Sequence, residues 1–138
     1  MTPDTDDRAF ETAAGPDPQA PVLDTAPAAN TYARTWRRGP FTVVEATGEI
    51  DLESAQRLAE HLDAATAARE PDVLVDLRGV TFLDCSGLRV LCRAESRARQ
   101  RSGRLRVVGD GPRVRRLLRA AGLLQRFPPL PDIPGERR

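Results

Sequence analysis

The sequence predicts an α/β domain in which helices cover a small sheet, and three observations carry that prediction. Segments rich in β-branched and aromatic residues alternate with segments whose apolar residues recur every three or four positions. One segment, Val73-Leu74-Val75, is apolar on both faces, as suits a parallel strand covered by helices. Turn residues separate the segments at short intervals, so the order β(β)αβαβα fits one layered unit of about 95 residues.

The first element is a weak strand from Tyr32 to Trp36, followed by a turn at Arg38-Gly39-Pro40. Phe41-Thr42-Val43-Val44-Glu45-Ala46 is a stronger strand, expected to stop at Thr47-Gly48. Asp51 or Ser54 is available to cap a helix whose apolar residues Leu58, Leu62 and Ala65 fall three and four apart. Glu70-Pro71 is expected to end it. The strand Val73–Val75, extended by Asp76-Leu77, is then separated by a turn at Arg78-Gly79 from Val80-Thr81-Phe82-Leu83. That stretch leads through Asp84-Cys85-Ser86-Gly87 into a second helix. Leu88, Leu91, Cys92, Glu95 and Ala98 mark one stripe of it, and Arg89, Arg93, Arg97 and Arg101 mark another. Gly103 is expected to close this helix. Leu105-Arg106-Val107-Val108 is the last strand, and Asp110-Gly111-Pro112 opens a third helix with proline near its first turn. Val114, Leu117, Leu118 and Ala121 are its apolar face, and Gly122 is its C-terminal cap.

A chain of 138 residues fits one such domain plus a tail. Residues 1–30 mix Pro, Ala, Asp and Thr with no sustained apolar period, which predicts a disordered tail. The domain is placed at 31–128, and the Pro-rich residues 129–138 are read as an irregular C-terminal tail. No apolar run is long enough to span a membrane. The start is acidic and Pro-rich, unlike a signal peptide, so a cytoplasmic protein is expected. All 21 basic residues are arginine, a composition bias of GC-rich coding, and the net charge is only +1. The charge is unevenly spread: residues 1–85 carry 7 Arg and 16 acids, and residues 86–138 carry 14 Arg and 4 acids. Such asymmetry fits an acidic partner, or two oppositely charged parts of one surface. Against nucleic acid, the Arg-rich half offers no aromatic residues for base stacking between Arg89 and Arg119.

Cys85 and Cys92, seven residues apart on one predicted helix, would lie roughly 10 Å apart along its axis, beyond disulfide reach. Two cysteines and the lone His61 make a poor metal set, so neither metal nor cofactor is expected. His61, between Glu60 and Leu62 and near Asp63, is read as a surface or boundary residue. An enzyme built on Asp84, Cys85 and His61 would need the imidazole beside the thiol.

The physically unusual spot is Phe82-Leu83-Asp84-Cys85-Ser86-Gly87-Leu88, where an apolar stretch meets a helix start. Unpaired N–H groups and the positive end of the helix dipole gather there, so Asp84 or Ser86 can cap the helix and an attached phosphate would be favoured. The segments GEID at 48–51, LVDLRGVTFLDCSGLRVL at 74–91 and GDGPRVRRLLRAAGLLQRF at 109–127 resemble a STAS domain, the fold shared by sulphate transporters and bacterial anti-sigma factor antagonists. The resemblance spans roughly residues 32 to 128 and implies a mixed sheet of four to five strands. Without a transmembrane part, the chain is more similar to the free-standing antagonists.

That resemblance implies a regulator and not an enzyme. An unphosphorylated antagonist binds an anti-sigma factor that is also a serine kinase of the GHKL type, which frees a sigma factor. The kinase phosphorylates the antagonist at the start of the second helix, the complex breaks, and a serine phosphatase resets it. In the well-studied antagonists the accepting Ser directly follows the motif's Asp, whereas that position is Cys85 here and Ser86 matches the next residue. Three readings stay open: Cys85 makes a constitutive binder, Ser86 accepts the phosphate instead, or Cys85 is a redox sensor whose thiol the helix N-terminus activates. The resemblance places the partner surface at Glu49, Asp51, Asp84, Cys85, Ser86, Gly87 and Arg89. The alternative functions are a scaffold subunit of a stress-signalling complex and, with less support, a nucleic-acid binder using the Arg-rich half.

Overall fold

The structure, a computed structural model, describes residues 26–135. Most of the expected N-terminal tail and the last three residues lie outside the described residues. Strands β1 (Ala33–Arg38), β2 (Phe41–Ile50), β3 (Asp72–Leu83) and β4 (Arg104–Val108) form one sheet in the order β1-β2-β3-β4. Helices α1 (Leu52–Ala65), α2 (Cys85–Gln100) and α3 (Pro112–Ala120) follow β2, β3 and β4. β1 runs antiparallel to β2, while β2, β3 and β4 are mutually parallel, so the sheet is mixed as expected.

Alternation along the strands sorts the apolar residues onto two faces. Val44, Ala46, Val73, Val75 and Val107 face the three helices, whose Leu58, Leu62, Leu91, Ala98 and Leu118 complete the main core. Val43, Leu74 and Val108 point the other way and meet Ile133, with Trp36, Phe41 and Leu130 packed at the margin. The chain beyond α3 thus covers the sheet's second face. Leu130 donates its N–H to the Val107 carbonyl at 2.9 Å and accepts from the Gly109 N–H at 2.7 Å.

Several expected boundaries move, each for a physical reason. β2 does not stop at Thr47-Gly48; it continues to Ile50, with Gly48 at φ +80. The expected turn at Arg78-Gly79 is absent, and β3 is one continuous strand of 12 residues. Its register against β2 slips between Glu45 and Thr47, and again between Gly48 and Glu49. At each slip β3 carries one residue more than β2, a pair of β-bulges. Glycine lets the strands approach closely at the first slip, where a Cβ on Gly79 would stand 2.9 Å from Thr47 Cγ2. α1 ends at Ala65 with Thr66 as its cap, ahead of Glu70-Pro71. The Thr66 side-chain hydroxyl donates to the Leu62 carbonyl at 2.8 Å, giving the last turn an early stop.

His61 is not a surface or boundary residue: it is fully buried. Its position explains this, since Leu58, His61 and Ala65 lie three and four apart on one helical face. Nε2 lies 3.2 Å from the Ala28 carbonyl, which can only accept, so Nε2 carries the hydrogen. Nδ1 then accepts from the Thr35 hydroxyl at 2.7 Å. Burial pushes the imidazole below its ordinary value of 6.5, against smaller opposing effects of the Ala28 carbonyl and the Glu60 charge. A depressed histidine is protonated first in the unfolded chain. The contribution to stability is therefore complete above pH 6.5 and is lost as pH falls below it. The melting temperature of the wild type should drop between about pH 7.5 and about pH 5.5. His61→Gln should flatten that dependence; equal slopes for both proteins would show that His61 does not titrate with unfolding.

Candidate functional site at the carboxyl ends of the central strands

The parallel strands β2 and β3 end side by side, Ile50 opposite Leu83, and each is followed at once by an aspartate that caps a helix. The Asp84 N–H donates to the Ile50 carbonyl at 3.1 Å, which ties the two strand ends together. The Asp51 carboxylate accepts from the Glu53 and Ser54 N–H groups, both at 3.2 Å. The Ser54 hydroxyl accepts from the Asp51 N–H and donates to the Glu49 carbonyl, each at 2.8 Å, completing a capping box. These bonds to Ser54, with that to Glu53, hold the Asp51 carboxyl below its ordinary 3.8. Asp84 Oδ1 accepts from the Ser86 N–H at 2.8 Å and the Gly87 N–H at 3.3 Å. Both aspartates therefore set the entry of a helix and line the open depression between α1 and α2, together with Leu52, Glu53 and Gln56.

The first turn of α2 presents Cys85 to solvent, with its thiol free, and leaves Ser86 half-buried. Gly87 faces inward: a Cβ there would meet Leu83 Cδ1 at 2.3 Å and Ile50 Cγ2 at 3.1 Å. It offers no side chain to a partner, but it lets α2 start close against the strand ends. Glu49, opposite Phe82 at the ends of the strands, and Arg89 are exposed. At this rim of the sheet, Asp51 and Asp84 share one depression, and Cys85 and Ser86 follow Asp84 in the first turn of α2. Glu49 is paired with Phe82 beside them, and Gly87 lies beneath.

Two residues of the rim escaped the sequence reading. Leu52 is 68% exposed and Phe82 is 49% exposed, the two large apolar side chains left to solvent among the described residues. Leu52 follows a helix cap and lies off the stripe of Leu58, Leu62 and Ala65, which was its signal. Leu52 lies between Asp51 and Glu53, and Phe82 is paired with Glu49, so exposed apolar and acidic residues are mixed at these strand ends, a composition that suits a protein-binding surface.

The other candidates scatter. His61 has both ring nitrogens engaged by Ala28 and Thr35, so it is not available to Cys85 as a base. Arg97 is ion-paired to Asp63 and bonded to the Thr66 hydroxyl at 2.9 Å, which makes it an α1–α2 tie. Arg89 and Arg93 stay exposed. No three His, Cys, Asp or Glu side chains among the described residues gather as a metal-binding group.

Residues 36–130 match the family model described as Mlab, STAS domain. The anti-sigma-F factor antagonist RsfA of Mycobacterium tuberculosis (strain ATCC 25618 / H37Rv) is 33% identical over 102 residues, covering 71% of this chain and 79% of the relative. An anti-sigma F factor antagonist of Paenibacillus polymyxa is 29% identical over 87 residues, 62% of this chain and 74% of its own. Among solved structures, the crystal structure of an anti-sigma factor antagonist from Mycobacterium paratuberculosis superposes with a TM-score of 0.65 at 30% identity, covering 73% of this chain and 86% of that one.

Proposed function

Since the chain belongs to the STAS domain family, we propose that it is an anti-sigma factor antagonist that works by binding an anti-sigma factor through the Leu52–Phe82–Cys85 rim. The names of its relatives support this reading. So does the exposure of apolar and acidic side chains at the ends of β2 and β3. No helix of the described residues is long and apolar enough to cross a membrane. The partner is an anti-sigma factor of the GHKL serine kinase type, and a serine phosphatase would oppose it in a switching cycle.

The observation that carries the proposal is the placement of Cys85, exposed in the first turn of α2 directly after the Asp84 cap. A phosphate at that turn would add about two negative charges and considerable bulk to the centre of the contact. A thiol at position 85 is not an ordinary acceptor for a serine kinase, so the chain stays in its binding state unless Ser86 substitutes. Ser86 is half-buried, and its N–H is held by Asp84 at 2.8 Å. That placement favours the constitutive binder.

The test is a kinase reaction with candidate anti-sigma kinases and ATP, following mass and complex formation for the wild type, Cys85→Ser and Ser86→Ala. Phosphorylation of Cys85→Ser alone, with stable binding by the wild type, is the expected result. A phosphate on the wild type that Ser86→Ala cannot accept would move the switch to Ser86. Binding of no candidate kinase would overturn the antagonist reading and favour a scaffold subunit, which solution mass would then reveal as a larger assembly.

A further inference from the structure

The third helix carries a charge pattern that the folded chain leaves uncompensated. Val114 and Leu118 turn inward, while Arg113, Arg115, Arg116 and Arg119 are exposed. Four of its nine residues are thus cationic and none is acidic. Arg115 and Arg119 stand four apart, and Arg116 stands three from both Arg113 and Arg119, so like charges are neighbours on the helix surface. Arg113, the second residue of the helix, also lies at the positive end of the dipole, with no acidic residue in that turn. Only Arg119, in the last turn, gains from the dipole. Elsewhere arginines find carboxylates: Arg34 pairs with Glu45, Arg78 with Asp76, Arg97 with Asp63 and Arg104 with Asp72. None of the four on α3 is ion-paired among the described residues.

We infer that the outward face of α3 is a docking surface for a carboxylate-rich surface of a partner protein, which supplies the opposite charges that α3 lacks. Charge complementarity selects this occupant. α3 begins where β4 ends, and β2, β3 and β4 run parallel, so its first turn lies at the same end of the sheet as Glu49, Asp51 and Asp84. An open cleft between that turn and Leu77, Arg78 and Val80 of β3 is lined by Arg113 and Arg116, with Asp110 as the acid on the same side. A nucleic acid is anionic along its whole length and would meet repulsion at the acidic strand ends, whereas a protein can present carboxylates to α3 and other groups beside them. For base stacking, the chain offers no exposed aromatic residue from Gly109 to Phe127, since Phe127 is buried. The contact does not need the Leu52–Phe82–Cys85 rim, so it stands whether or not the rim binds an anti-sigma factor.

The experiment titrates the full chain, labelled with nitrogen-15, with a hexaglutamate peptide and, separately, with an oligothymidylate of equal charge. Amide shifts on adding the peptide should concentrate in α3 and fade as salt rises. The triple variant Arg115→Gln, Arg116→Gln, Arg119→Gln should bind the peptide about tenfold more weakly, since three exposed charge pairs are removed. Its melting temperature should be unchanged or higher, because glutamine forms helix nearly as well as arginine and the like-charge neighbours are gone. Arg93→Gln with Arg101→Gln, at exposed positions beyond α3, should leave the affinity within about twofold. Absence of shifts, shifts spread evenly over α2 and α3, or equal losses in the two variants would overturn the inference. So would tighter binding of the oligothymidylate on α3, which would assign that face to nucleic acid.

Discussion

Phe82→Asp is expected to lower affinity for the anti-sigma factor about 100-fold while leaving the fold intact. An aromatic side chain carries some 150–250 Å² of contact area, and about half of Phe82 lies open at the rim. Covering roughly 100 Å² of it in a complex would contribute about 2.5 kcal/mol, which is close to two decades in Kd. An aspartate there would also bring a fifth carboxylate against the same partner surface, beside Glu49, Asp51, Glu53 and Asp84. Leu52→Asp, at an even more exposed position, should act in the same direction. Because neither side chain fills the core, melting temperatures should shift little. The check is calorimetric titration of each variant against the partner kinase, beside a thermal melt. An unchanged Kd for both variants would remove the rim from the interface, whereas loss of binding with loss of fold would say nothing specific about it.

The exposure of Phe82 also shows where the sequence could be read and where it could not. Period-two alternation through Val80-Thr81-Phe82-Leu83 would put Phe82 on the same face as buried Val80. The second bulge breaks that alternation, so Thr81 and Phe82 are both exposed and Leu83 is buried. A bulge is a relation between two strands, and nothing in one strand's own residues announces it. Gly79 therefore carries the sequence signature of a turn, while in the structure it allows close approach to Thr47. His61 failed differently: its polarity outweighed a spacing to Leu58 and Ala65 that pointed inward. By contrast, Asp51 and Asp84 were legible as caps because a cap is local, satisfied within three residues of itself. Helix faces and the order of elements were legible on the same ground. The rim combines both kinds of signal. Its polar members lie in short motifs, but its exposed apolar residues come from a register shift and from a position outside the helix stripe.

Gly103→Ala is expected to be the most damaging small substitution in the described chain, costing on the order of 3 kcal/mol or more. The sequence points to Gly103 as the residue that closes α2, but the left-handed residue there is Ser102, at φ +63. The Ser102 N–H donates to the Arg99 carbonyl at 3.0 Å and the Gly103 N–H to the Ala98 carbonyl at 2.9 Å. That pair of bonds is a Schellman motif with serine in the position glycine favours. α3 ends in the same motif with glycine in place: Gly122, at φ +74, donates to Arg119, and Leu123 donates to Leu118. In α2 the glycine is displaced by one residue because the exit of the helix runs against Pro71. A Cβ on Gly103 would stand 2.1 Å from the Pro71 carbonyl oxygen and 2.5 Å from its backbone nitrogen. Backbone cannot swing aside as a side chain can, and the Arg104 N–H bond to that same carbonyl, 2.7 Å, would have to yield with it. That carbonyl lies one residue before β3, beside the start of β4, so the damage would spread into the sheet. Ser102→Gly is the companion test, expected to stabilise by about 1 kcal/mol by removing the left-handed penalty of a residue with a Cβ. Denaturant melts of the two variants separate the roles. A severe loss for Gly103→Ala with a gain for Ser102→Gly fits close packing at one residue and helix termination at the other. A mild loss for Gly103→Ala would mean that α2 can draw back from Pro71 at little cost.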